Sequence, residues 1–175
     1  LRGEIAFNIP ENQENKIYVP GKNLSYVLGI ERNLNGLVAI LQYAGEFTPG
    51  FKPLSIPTLT DPAEPTARAM YVAELIRYES ALFNRKIFNQ QVKTNHALML
   101  NLNKSFAHDA LSVDVTGYYN LTSKEYLIRP EFTWKPADAL TIEAGFNYMD
   151  GPGKSIFNYS NPLLNGAFAG LKVDF

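Results

Sequence analysis

Residues 126–135 read Tyr-Leu-Ile-Arg-Pro-Glu-Phe-Thr-Trp-Lys, with Tyr126, Ile128, Pro130, Phe132 and Trp134 at one parity and Leu127, Arg129, Glu131, Thr133 and Lys135 at the other. Successive side chains of a strand point to opposite faces, so this stretch predicts a β-strand with one apolar face and one polar, charged face. The next stretch repeats the pattern. Over 140–149, Leu140, Ile142, Ala144, Phe146 and Tyr148 alternate with Thr141, Glu143, Gly145, Asn147 and Met149. Between the two lies Pro136–Ala139, a short turn-forming link.

Working outward, six further segments alternate the same way. Over 111–120, Leu111, Val113, Val115 and Tyr119 oppose Ser112, Asp114, Thr116, Tyr118 and Asn120. Over 165–175, Ala167, Ala169, Leu171, Val173 and Phe175 oppose Gly166, Phe168, Lys172 and Asp174. The N-terminal half gives segments at 1–9, 24–32, 37–47 and 91–104, with Ile5 and Phe7, Tyr26 and Leu28, Leu41 and Tyr43, and Leu98 and Leu100 marking their apolar faces. Strands of about nine to eleven residues have the length that crosses a bilayer at a barrel's tilt.

The links alternate as well. Asn33–Gly36, Ser105–Ala110 and Pro136–Ala139 are short, whereas 10–23, 48–90 and 150–164 are long, with 121–125 a short exception. Short turns at one side and long loops at the other is the bacterial outer-membrane pattern. Counting back from a periplasmic C-terminus puts every short turn on the periplasmic side. Under that topology Phe7, Tyr26, Tyr43, Phe47, Tyr119, Tyr126, Phe146 and Tyr148 fall near the outer strand ends, and Phe132, Trp134 and Phe175 near the inner ends. Two aromatic belts flanking an aliphatic band are what membrane interfaces select. The expected fold is therefore all-β: about eight antiparallel transmembrane barrel strands, with 1–175 the C-terminal portion of one larger barrel domain. The start inside a strand pattern leads us to expect further residues upstream.

Composition agrees with that class and removes others. Sixteen Lys+Arg against 17 Asp+Glu lack the basic excess of a nucleic-acid-binding domain. No cysteine is present, which excludes disulfides, thiolate metal sites and a cysteine nucleophile. No apolar run approaches the ~18 residues of a transmembrane helix. The slightly negative mean hydropathy, −0.15, is what alternating lipid-facing and lumen-facing residues average to.

The 48–90 link, expected to be extracellular, holds one further element. Asp61-Pro62-Ala63-Glu64 suggests an N-cap followed by Pro at the first helical position. Ala67, Tyr71, Leu75, Tyr78 and Leu82 then recur at helical spacing, which predicts an amphipathic helix over about 62–83.

Candidate functional side chains lie on the charged face: Arg2, Glu4, Glu31, Glu46, Lys93, Asp114, Arg129, Glu131, Lys135, Glu143, Lys172 and Asp174. They would line a charged pore that biases which solutes pass, or form a ladder of cross-strand pairs that stiffens it. Glu4, Glu131 and Glu143 lack the spacing of a hydrolytic pair, and neither His96 nor His108 has a serine arranged beside it. Gly151-Pro152-Gly153-Lys154 reads as a turn, and Pro130 predicts a bulge or a locally unpaired bond. No catalytic residue, metal or cofactor is expected.

The closing Gly170-Leu171-Lys172-Val173-Asp174-Phe175 resembles the C-terminal signal read by the barrel-assembly machinery, with Phe175 as its key residue. Together with Leu1-Arg2-Gly3-Glu4, Tyr26-Val27-Leu28-Gly29-Ile30, Leu41-Gln42-Tyr43 and Arg129-Pro130-Glu131, it resembles the C-terminal part of a large proteobacterial family of porin-like outer-membrane barrels. The resemblance implies a Gram-negative outer-membrane location, contact with membrane lipid, and hydrophobic cargo shared with a periplasmic or efflux partner. Three uses stay open: a passive or gated solute channel, which leads; a barrel that binds or exports lipid-like molecules; and a structural or adhesive surface protein.

Overall fold

Eight strands account for the fold of this computed structural model, which describes residues 1–11 and 19–174. They are β1 (Arg2–Asn8), β2 (Asn23–Leu34), β3 (Leu37–Phe47), β4 (Thr94–Phe106), β5 (Leu111–Asn120), β6 (Tyr126–Ala137), β7 (Leu140–Asp150) and β8 (Gly166–Val173). They pair in sequence order as one sheet, an antiparallel meander from β4 to β8. The sheet is open, with β1 and β8 at its edges, so the described strands do not close a barrel. Two helices occur among the described residues, α1 (Pro65–Ile87) and α2 (Ile156–Leu164). Contacts group the residues into two units, one of Leu1–Ile5, Tyr26–Gly45 and His96–Phe175, the other of Ala6–Ser25 and Glu46–Asn95.

Local chemistry explains the strand ends. Asn35 and Gly36 take positive φ, 53° and 84°, which makes the two-residue turn whose twist suits a hairpin. The register from β4 to β8 then sets the side chains in rows across the sheet. On the apolar face one row reads Leu100, Gly117, Ile128 and Tyr148, and another reads Phe106, Leu111, Trp134, Ile142 and Leu171. On the opposite face one row reads Asn103, Asp114, Glu131, Gly145 and Phe168.

Several expectations need correction. Register is unbroken across Pro130, which stays opposite Val115; the irregularity falls between Trp134 and Ala137, around Pro136. Pro130 has no partner in β7, so the expected unpaired position is found there without a bulge, in keeping with the missing N–H. Strand β4 starts at Thr94, so Lys93 precedes it and the strand parity that placed it on the charged face does not apply. Its amine instead lies 5.5 Å from the Phe47 ring centroid. The 150–164 link is not simply a loop, because it contains α2. Phe175 lies outside the described residues, as do residues 12–18 of the expected 10–23 link.

In the second unit, α1 begins three residues later than expected, with Glu64 at the N-cap and Pro65 at the first position. Asp61 is occupied locally: its Oδ1 accepts the Ala63 N–H at 2.9 Å, an alternative to helix that Asp offers readily. The predicted stripe is the shielded one, with Ala67, Tyr71, Leu75, Tyr78 and Leu82 all partly buried. The helix runs on to Ile87 and stops at a left-handed Asn89, φ 54°. There Asn89 N–H reaches Lys86 O and Gln90 N–H reaches Arg85 O, so two late carbonyls find donors. Arg85 also donates to Lys52 O at 2.7 Å and stacks on Phe51, and its partial burial lowers its pKa from the ordinary value. Gln90 is buried and bonds both the N–H and the C=O of Gly21.

Candidate functional site: the polar face of the sheet

Large apolar side chains stand open along one face of the strands. Ile5, Phe7, Leu28, Leu41, Leu100, Ile128, Phe132, Trp134, Phe146, Tyr148 and Leu171 are exposed at apolar-face parity, and Met99 is exposed at the other. The polar-face residues Asn101, Asn103, Ser112, Asp114, Thr116, Glu131 and Thr133 are partly shielded. Only Ala97 and Met149 are buried hydrophobics among the described residues, whereas Asn120 and Glu125 are buried polar groups. Water-soluble monomers rarely expose a contiguous apolar surface of more than a few hundred Å².

The apolar face is also sorted by height. Toward the long connections, Tyr26 and Tyr43 meet at 6.1 Å, Tyr43 stacks on His96 at 5.8 Å, and Tyr126 meets Tyr148 at 6.0 Å. Tyr43 Oη and His96 Nδ1 share a 2.6 Å hydrogen bond, so His96 belongs to this aromatic cluster. Tyr26 lies across Gly45: a Cβ there would come within 2.1 Å of its ring, so the aromatic covers the bare backbone. Toward the short turns stand Phe106, Phe132 and Trp134, with the Lys104 amine reaching over the Phe106 ring at 5.3 Å. Tyr126 and Trp134 are eight residues apart, which is about 26 Å along a strand and about 20 Å at a barrel's usual tilt. Phe7 and Phe47, expected in the outer cluster, lie in the second unit; Phe7 is exposed and Phe47 pairs with Lys93.

The polar face is held by side-chain bonds that largely neutralise it. Asp114 and Glu131 are directly opposite, a repulsive placement for two carboxylates. Each is turned to a separate partner. Asn101 Nδ2 donates to both Asp114 oxygens at 3.0 and 3.2 Å and to Thr116, while Arg129 pairs with Glu131 at 3.0 Å. The Arg129 guanidinium also stacks on Phe168 at 5.3 Å, and that ring covers Gly145, where a Cβ would meet it at 2.6 Å. Arg2 pairs with Glu31 at 3.6 Å, and Lys172 with Asp174 at 3.1 Å. Glu46 accepts from Asn23 at 2.5 Å in the second unit. Glu4, Lys135 and Glu143 are exposed on their strands. Six of the candidate charges thus form three neighbouring ion pairs, Asp114 and Glu46 bond asparagine amides, and the set does not converge on one centre.

Beside this ladder, a cavity of about 820 Å³ lies over β1–β5 within the first unit. Arg2, Glu4, Glu31, Gln42 and Asn101 line it together with Val27, Ile40, Ala44, Ala97, Met99 and Tyr118. The lining surface is mostly apolar, with these few polar groups set into it. No group of three or more His, Asp or Glu able to hold a metal occurs among the described residues.

Sequence reading missed the polar knot where the strands meet the long connections. Asn120, 1% exposed, accepts the Thr122 and Ser123 N–H groups on Oδ1, both at 2.9 Å, and donates to Tyr118 Oη. Glu125, 5% exposed, accepts the Phe157 N–H at 2.8 Å and the Ser123 hydroxyl at 2.5 Å. The available signal was Asn120-Leu121-Thr122-Ser123, rich in residues that bond their own turn. Comparison of the chain with protein-family profiles, with curated proteins and with solved structures returned no match.

Proposed function

We propose that this sheet is a transmembrane part of a bacterial outer-membrane β-barrel whose polar face lines a passage for solutes. The observation that carries the reading is the open apolar face, where Ile128, Phe132, Trp134, Phe146 and Leu171 are exposed, beside an opposite face whose Asn101, Asp114 and Thr116 are bonded and partly shielded. In water, burial of apolar area drives folding, and an exposed apolar face forfeits that stabilisation. In a bilayer the same face meets hydrocarbon, while the strands satisfy one another's backbone groups. No described helix is long and apolar enough to cross a membrane, so strands would make any crossing.

On this reading further barrel strands join at the free edges of β1 and β8, since an open edge in hydrocarbon leaves backbone groups unpaired. Membrane lipid contacts the apolar face, the assembly machinery inserts the barrel, and the short turns face the periplasm. The polar and charged side chains of this face, of both signs, keep the route wet without a strong charge preference. Inserting the protein into planar bilayers should give stepwise ion conductance. Membranes with incorporated protein but neither conductance nor solute flux would contradict the channel reading.

A further inference from the structure

One row of the polar face breaks its chemistry. Met99, Tyr118, Leu127 and Met149 stand side by side across β4–β7, at the end next to the long connections. The next polar-face row carries Asn101, Thr116 and Arg129. An apolar row on a face built for water calls for a cover, and α2 supplies one at Tyr118 and Met149, leaving Met99 at the far end exposed. Its Phe157 ring meets Tyr118 at 5.7 Å, and Met149 is buried.

The cover is fastened at both ends. At its start, Ser155 Oγ accepts the Asn158 N–H, and the Glu125 carboxylate, carried by the β5–β6 link, accepts the Phe157 N–H. The first turn of α2 holds no acidic residue, so Glu125 provides the negative charge that a helix N-terminus favours. Gly151 lets the two come together: a Cβ there would lie 2.5 Å from Ser155 Oγ and 2.8 Å from Glu125 Cγ. Farther along, Asp150 Oδ1 accepts from the Asn158 and Asn161 side chains at 3.3 and 3.0 Å. The Asn165 amide bonds both the N–H and the C=O of Met149.

Without these fastenings α2 has little reason to exist. It is nine residues long and contains Asn158, Ser160, Asn161 and Pro162. Isolated helices of that length are not stable in water, and those residues are among the weaker helix formers. Its docked and undocked states are therefore also its folded and unfolded states, which makes it a two-state element.

We propose that α2 is a latched cover over the outer end of the polar face, with Glu125 as the latch and the Tyr118 row as the seat, and that its release admits solute to the cavity below. The proposal rests on the channel reading for its purpose but not for its test. A cysteine at Thr116, in the row beneath Tyr118, is exposed to a charged, membrane-impermeant thiol reagent added on the side of the long connections; the chain has no other cysteine. In the same samples, hydrogen exchange reads the amides of 156–164, and conductance is recorded.

Glu125→Ala should speed both α2 exchange and thiol labelling about tenfold or more, while β5–β7 amides keep their protection. Phe157→Ala, which leaves Glu125 and its link intact, should do the same and serves if the first variant fails to fold. Faster α2 exchange with unchanged labelling overturns the cover, and unchanged α2 exchange overturns the latch. Faster labelling with no conductance in any variant overturns the channel reading and leaves the cover standing.

Discussion

Val115→Arg is expected to cost the membrane-inserted protein about 2–4 kcal/mol of folding stability, the price of a guanidinium at the bilayer midplane. Val115 lies at the middle of β5 on the apolar face, opposite Leu102 and Pro130. Four residues separate it from Leu111 and four from Tyr119, so it sits midway between the two aromatic levels. A sheet in water would treat the change differently: Val115 is only partly shielded, and surface substitutions of that kind usually stay within about 0.5 kcal/mol. Thr133→Arg is the matching control, since Thr133 lies on the polar face beside Glu143. It should change stability by less than about 1 kcal/mol. Denaturant titrations of both variants in lipid vesicles give the comparison. Equal, small effects would remove the physical basis for a lipid-facing surface.

The second large effect is expected at Asn120. Replacing it by Ala removes the oxygen that receives two backbone N–H groups and the amide that donates to Tyr118. A polar group left without a partner at a buried position costs about 1–3 kcal/mol. Asn120→Ala should therefore destabilise by about 1–3 kcal/mol, since the two N–H groups share one turn and one loss. Asn103→Ala, which removes a single 3.4 Å contact to Asp114 on a partly shielded strand, should cost less than about 1 kcal/mol. Thermal unfolding in a fixed lipid or detergent environment reads the difference. Similar midpoints for the two variants would show that the knot does not hold the link.

How much of this could be read beforehand depended on the kind of signal. Strand parity was legible because it is a local, repeated constraint. The stretch 126–135 places five residues on each face, and one shift of register would invert all of them. The α1 stripe was legible for the same reason. Strand and helix ends were less so, because they are decided by competing local bonds: Asp61 closes its own turn, and Asn89 ends a helix that apolar periodicity alone placed four residues shorter.

The α2 helix was the larger omission. Pro162 and a run of polar residues hide its period, and its order comes from groups distant in sequence: Glu125 binds Phe157 across 32 positions. A clue was nonetheless present. Tyr118, Leu127 and Met149 fall on the charged parity of three successive strands, all near the same end. Three apolar intrusions at one height on a polar face imply something that covers them. Reading strands singly conceals that coincidence; aligning them by register exposes it. The individual roles of Arg129 and Asp114 were hidden for a similar reason, since a charge's partner is chosen by register and rotamer. Arg129 meets Glu131, and Asp114 meets the Asn101 amide.

On the proposed reading the apolar face meets hydrocarbon while the polar face meets water. Because the chain has no cysteine, single cysteines along β6 at 127–129 and 131–134 can each carry one nitroxide without interference. In lipid vesicles, collision with oxygen reports hydrocarbon and collision with a water-soluble nickel complex reports water. A period of two is expected, with oxygen favoured at Ile128, Phe132 and Trp134 and the nickel complex favoured at Arg129, Glu131 and Thr133. Nickel access at Ile128, Phe132 and Trp134 equal to that of their neighbours would contradict it.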